Sequence, residues 1–161
     1  LPMEGDRKPT AFLRTPFNER HARLSPDGKW IAYSSDETGA YEVYVQRFPA
    51  SGVKSRVSTN GGIEPAWRRD GKELFYLSDG RFMAVDVDTR SSTPEVSRPK
   101  AIVNGVSLPS RVTASAIGRQ WAASGDGQRF LVIVPTATSR ISNPVTVVLN
   151  WQSALEARER R

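Results

Sequence analysis

Three stretches of this chain can be laid over one another without a gap. The first is Ala22-Arg23-Leu24-Ser25-Pro26-Asp27-Gly28-Lys29-Trp30-Ile31-Ala32-Tyr33. The second runs from Pro65 through Asp70-Gly71-Lys72 to Tyr76, and a more divergent third runs from Trp121 through Asp126-Gly127-Gln128 to Val132. Self-similarity at a fixed period restricts the fold more than composition does. Each copy must form the same supersecondary unit and bury its apolar surface against the next. The Asp-Gly pairs lie 43 and then 56 residues apart. The shorter spacing is that of a four-stranded repeat unit, about 40–45 residues. The excess in the longer one falls in the Ser/Gly/Pro-rich stretch 104–118, which reads as an inserted loop.

In each copy Asp-Gly separates two apolar runs. That is a hairpin signal, because a tight primed turn needs positive φ and glycine adopts it without a Cβ clash. After the turn the apolar residues are consecutive, in Ile31-Ala32-Tyr33, Leu74-Phe75-Tyr76-Leu77 and Phe130 to Val134. A sheet wetted on one side would alternate, so these strands are expected to be covered on both faces. A third strand follows in every unit, at 42–46, 82–86 and 145–149. A more polar fourth follows twice, near 55–58 and 100–103, as suits an outer strand facing water. The last unit stops at three strands, and 8–13 reads as an orphan outer strand ahead of the first.

The expectation is an all-β chain: a β-propeller fragment of about three four-stranded antiparallel blades, with a short C-terminal helical tail. Along the sequence, 1–18 carries the outer strand of a preceding blade, 19–61 and 62–106 are full blades, 107–151 is a last blade lacking its outer strand, and 152–161 is the tail. A closed propeller typically has at least four blades. Three do not close a ring, and a start at Leu1 points to a piece of something longer.

Composition removes whole classes of function. The 161 residues make room for one domain with a real core. The absence of cysteine excludes a disulfide framework, thiolate zinc, iron–sulfur ligation and a cysteine nucleophile. No apolar run approaches the roughly 18 residues of a membrane-crossing helix, so no membrane insertion by this segment is expected. The net charge is +6, but the basic residues are scattered, and Arg158, Arg160 and Arg161 sit on the tail. They lack the aromatic-interleaved stripe of a nucleic-acid binder, so no nucleic-acid partner is expected.

The run Leu24-Ser25-Pro26-Asp27-Gly28-Lys29-Trp30-Ile31-Ala32-Tyr33, with Ser35-Asp36 after it, resembles the repeat of TolB-type β-propellers, in which a Ser-Pro-Asp-Gly turn joins two inner strands. More narrowly, 18–36, 41–48, 67–76 and 144–151 resemble the C-terminal propeller of bacterial receptor-like serine/threonine protein kinases. The resemblance covers nearly the whole chain and is weakest over 91–119. It implies a sensing or protein-binding module that follows a kinase domain and often a membrane segment, on the periplasmic or extracytoplasmic side of a bacterial membrane protein. The second copy departs from the pattern at Arg68-Arg69 and the third at Ser124-Gly125, while Asp-Gly is kept in both. The glycine-rich phosphate loop, His-Arg-Asp loop and Asp-Phe-Gly triplet of a kinase do not occur in these residues, so phosphoryl transfer does not carry over.

His21 is the only histidine, and no Gly-x-Ser-x-Gly elbow presents a nucleophile to it. One histidine does not make a histidine-rich metal site. Asp86 and Asp88 imitate the opening of a calcium loop but lack its glycine and distal glutamate. Asp27, Asp70 and Asp126 recur at one motif position, which fits turn formers accepting backbone N–H bonds. Trp30, Trp67, Trp121 and Trp151, beside or within strands, fit inter-blade core. The segment is expected to be non-catalytic, without cofactor or metal. One step upstream of the innermost strand, the copies place His21, Glu64 and Gln120 at equivalent positions. Inner strand ends ring a propeller's channel, so these three, with Arg20 and Arg23, are expected to line its mouth and meet a protein or small ligand.

Two functions follow. One is a sensor or scaffold segment of a larger receptor-kinase-like protein. The alternative is the substrate-gating propeller of a prolyl-oligopeptidase-like hydrolase, with catalysis on another domain. The closing Pro144 to Trp151 reads as a chain terminus with no hydrolase after it and favours the first. Three blades also leave two apolar faces to cover. Upstream blades of the parent chain would do so, or a second copy paired about a two-fold axis, with 8–13 of one copy supplying the other's missing outer strand.

Overall fold

A computed structural model describes residues 8–49, 52–102, 121–135 and 145–147. Every regular element among them is a strand, and all pair antiparallel. The first sheet has the order β1 (Glu19–Leu24), β2 (Trp30–Ser35), β3 (Glu42–Arg47), β4 (Lys54–Arg56). The second contains β5 (Ile63–Trp67), β6 (Glu73–Ser78) and β7 (Arg81–Asp88). Two short strands, β8 (Glu95–Val96) and β9 (Lys100–Ala101), share its outer position, both paired with β7. The third sheet has β10 (Trp121–Ala123), β11 (Phe130–Pro135) and β12 (Val145–Val147). The expected helical tail lies outside the described residues, as does Trp151.

The consecutive apolar residues divide between two faces. On β2, Trp30 and Ala32 join Val43, Val45, Val57, Leu74, Tyr76, Val85 and Val87 in the core between the first two sheets. On β6, Phe75 and Leu77 turn the other way and meet Trp121 and Phe130 of the third sheet. Phe75 and Phe130 meet edge to face at 5.1 Å, as do Phe82 and Trp121. Such pairs add about 0.5–1.5 kcal/mol to the burial itself. The second sheet is thus a filling between two others, which is what an unbroken apolar run requires. Successive antiparallel sheets stacked face to face, each built in chain order from its first strand outward, are consecutive blades of a propeller.

The hairpin loops hold a surprise. Asp27-Gly28, Asp70-Gly71 and Asp126-Gly127 do not form two-residue primed turns. Ser25 N–H donates to Trp30 C=O at 2.8 Å, closing a four-residue loop, and Gly28 N–H donates back to Ser25 C=O at 2.9 Å. Pro26 and Asp27 keep negative φ, and only Gly28 is left-handed, at φ 69°. Proline's fixed φ suits the first central position of such an unprimed turn. The second and third loops repeat the pattern, Gly71 N–H to Arg68 C=O at 3.0 Å and Gly127 N–H to Ser124 C=O at 2.9 Å. A two-residue turn of the primed kind joins β6 to β7 instead, where Asp79 and Gly80 take φ 47° and 70° between the paired Ser78 and Arg81.

One outer segment also differs from expectation. The second sheet's outer strand is broken around Pro99, which has no N–H to give a ladder. Residues 8–18 form no ladder with the described sheets. Phe12 and Leu13 pack instead on Ile31, Tyr33 and Tyr44, the face of the first sheet turned away from the second.

The link between the first two sheets is pinned by a buried carboxylate. Glu42 accepts from the Ser58 hydroxyl and, at 3.1 Å, from Gly61 N–H, while Ser58 Oγ accepts from Val43 N–H at 2.7 Å. At Gly62 a Cβ would stand 2.5 Å from Ser58 Oγ, so the chain passes there only as glycine.

Candidate functional site at the axial strands

β1 and β5, the first strands of neighbouring sheets, lie against each other. Trp67 Nε1 donates to Arg23 C=O at 3.1 Å and ties one to the other. Both strands are interrupted in the same way. β1 pairs with β2 through Arg20↔Ser34 and resumes at Arg23↔Ala32, so His21 and Ala22 stand opposite the single residue Tyr33. β5 pairs through Ile63↔Leu77 and resumes at Ala66↔Phe75, so Glu64 and Pro65 stand opposite Tyr76. Each is a β-bulge, with two residues against one.

The first bulge residue is left-handed in both, His21 at φ 57° and Glu64 at φ 56°. Glycine takes this region freely, whereas a side chain there costs roughly 1–2 kcal/mol. The second residue needs no ladder bond, and Pro65, which has no N–H, occupies it without loss. The positions that align in sequence are therefore inside the innermost strands, at a bulge, and not ahead of them. Gln120 lies outside the described residues.

The axial side chains differ in access. Arg20 and Arg23 are exposed and His21 is half-buried, while Glu64 is 3% exposed. The Arg20 guanidinium stands 5.2 Å over the ring of Tyr41, and Arg23 Nη1 donates to Ala22 C=O at 2.8 Å. The tyrosines facing the bulges are buried and neutral. Burial pushes the Tyr76 phenol up to about 12, helped by the nearby Glu42 charge, and burial followed by the Glu37 charge raises Tyr33. Tyr41, the two facing tyrosines and Pro65 were not singled out from sequence. The aligned Tyr33 and Tyr76 were the available signal.

The other acidic candidates are structural. Asp27 accepts from Ser25 Oγ at 2.5 Å and Lys29 N–H at 3.1 Å. Asp126 repeats this with Ser124 and Gln128. The Ser25 hydroxyl holds the Asp27 carboxyl below its ordinary range, and the Ser124 hydroxyl does the same for Asp126. Arg68 stands where those serines do, and its guanidinium grips Asp70 through two nitrogens at 2.8 Å, bringing that carboxyl down to about 2. Asp88 is held by Arg90, and Asp86 faces Lys100 at 3.9 Å. An open cleft of about 1070 Å³ runs between the first two hairpin loops and the end of β7. Its carboxylates Asp27, Asp70 and Asp88 are already bonded as described. Among the described residues no three His, Cys, Asp or Glu side chains gather as a metal-binding group, and no helix is long and apolar enough to cross a membrane. Trp30 and Trp121 lie in the two inter-sheet cores, and Trp67 packs against the first of them.

No protein-family model matches the chain, and no curated protein does. Among solved structures it is similar to the crystal structure of TolB from Acinetobacter baumannii, at 16% identity and a TM-score of 0.45. The match covers 88% of this chain and 46% of that one, so the chain spans less than half of that protein's length.

Proposed function

We propose that the chain is a non-catalytic binding segment of a propeller, meeting a protein or small ligand at the channel end of β1 and β5, and that it serves a larger bacterial receptor-kinase-like protein as sensor or scaffold. The observation that carries the binding role is the repeated bulge. Two adjacent axial strands hold a non-glycine residue in the left-handed region at one equivalent position, with different side-chain chemistry in each. Strain of this kind clusters at ligand clamps and switch regions, where the surroundings enforce it. Arg20 and Arg23 flank the bulge in solvent, a pair suited to a ligand carrying carboxylate or other acceptor groups. The parent architecture is supported by the Ser-Pro-Asp-Gly repeat and the 144–151 resemblance.

Peptides selected from a random library against the intact chain test the reading. Their affinities are then measured on wild type and on Arg20→Ala/Arg23→Ala, with melting curves alongside. A loss of about tenfold or more, equivalent to about 1.4 kcal/mol, with an unchanged melt is the expected result. Binders that ignore the double substitution would show these residues to be ordinary polar strand positions.

A further inference from the structure

The first sheet has two apolar faces, and among the described residues a neighbouring sheet covers only one of them. On that side Trp30, Ala32, Val43 and Val45 are almost fully buried. The opposite face carries Ile31 and the stacked pair Tyr33 and Tyr44, whose rings lie 5.9 Å apart. What covers it is the chain's own segment 9–17. Phe12 and Leu13 pack on those three residues, and Phe12 meets Phe48 at 5.4 Å.

The cover is held unlike anything else in the fold. Among the described residues, no backbone hydrogen bond joins 9–17 to a strand. Pro9 and Pro16 have no N–H to offer one. The segment ends at an anchor, where Asp36 accepts from Asn18 N–H at 2.8 Å and from Asn18 Nδ2 at 2.7 Å. The seal is also incomplete. Leu24, paired with Ile31 and so on the same face, is 52% exposed, and Phe48 is 36% exposed. A cavity of about 240 Å³ remains between Phe12, Leu13, Ile31 and Tyr33, and it reaches Arg20 and His21. A sheet face would fill that space and bury the rim, as the second sheet does on the other side.

We infer that residues 9–17 are a displaceable strap, which occupies the blade-packing face of the first sheet in cis and keeps that face from association. The attachment is two apolar side chains, the Thr15 hydroxyl donating to the Glu19 carboxylate, and one hinge, with no ladder to unzip. The inference stands on packing alone and is independent of what the axial residues bind.

Trypsin cleavage after Arg14, which requires the strap to lift, reads the opening equilibrium. Phe12→Ala/Leu13→Ala removes most of the attachment, so initial cleavage is expected to speed up by about a hundredfold. The same variant, with its β-sheet circular dichroism retained, is expected to bind an apolar dye and to associate at concentrations where wild type is monomeric. A synthetic 9–18 peptide added in excess should reverse the dye signal, and a scrambled one should not. If the double variant loses its sheet signal, Asp36→Asn loosens the anchor without touching the face and should give a smaller acceleration. Wild type cleaved as fast as either variant, or a variant face that stays dark to dye, overturns the strap. Wild type already associated under these conditions would make a second copy the occupant and overturn it equally.

Discussion

Among the places where the first two sheets bend their backbone into the left-handed region are the first hairpin loop and the axial bulge, and these two are filled differently. At the hairpin loop the left-handed residue is glycine, in all three copies. At the axial bulge it is His21 or Glu64. The loop needs only a backbone shape, so the residue that adopts it at least cost is used. The bulge keeps a side chain despite the cost, as the β6–β7 turn does at Asp79; under the binding proposal the reason at the bulge lies in what the side chain does. The contrast separates positions that need only a backbone shape from positions that keep a side chain.

The contrast is broken most sharply at Gly127. A Cβ there would meet Phe75 Cζ at 2.8 Å and Arg68 Cδ at 3.1 Å, in addition to the unfavourable φ. Gly127→Ala is expected to cost about 2–4 kcal/mol, read as a drop in denaturation midpoint. At Gly28 a Cβ would meet nothing within 4 Å. Gly28→Ala should therefore lose only the conformational part, about 1 kcal/mol. Equal losses at the two sites would mean that the third loop does not press on the second sheet.

The bulge should respond with the opposite sign. His21→Gly relieves the left-handed strain while giving up some unfolded-state restriction, for a net gain between zero and about 1 kcal/mol. Under the binding proposal it also weakens the selected peptides. A clear loss of stability would make His21 a packing residue. The smallest effect is in the loop carboxylates. Asp70 is held near 2 first by the Arg68 side chain and then by Lys72 N–H. Its folded value lies below its unfolded one, so the stabilisation is present above about pH 4 and is lost as pH falls towards 2. Arg68→Ser, which recreates the first and third loops, should raise the Asp70 titration midpoint by carboxyl-carbon NMR yet leave it below the ordinary value. An unchanged midpoint would remove Arg68 as the cause.

Much of the architecture was legible because it is written in local pattern. Consecutive apolar residues at 31–33 and 74–77 announced strands buried on both faces, and the 43-residue spacing announced the blade. The loop type was not legible. Asp-Gly permits a primed turn at 79–80 and an unprimed one at 27–28, and the pairs that close each loop, Ser25 with Trp30 and Ser78 with Arg81, decide between them. The place of 8–13 was not legible for a related reason: it has an outer strand's composition, but which surface it lies against depends on residues distant in the chain.

The sequence by itself determined the repeat, the strand positions and the apolar faces, since these follow from side-chain periodicity and glycine placement, which each segment carries within itself. Only the tertiary structure decided that His21 and Glu64 stand at bulges, that Glu64 is buried while Arg20 and Arg23 are not, and that 9–17 lies over a sheet face. Those features are set by the register between strands and by which surface lies opposite. Both depend on residues distant in the chain.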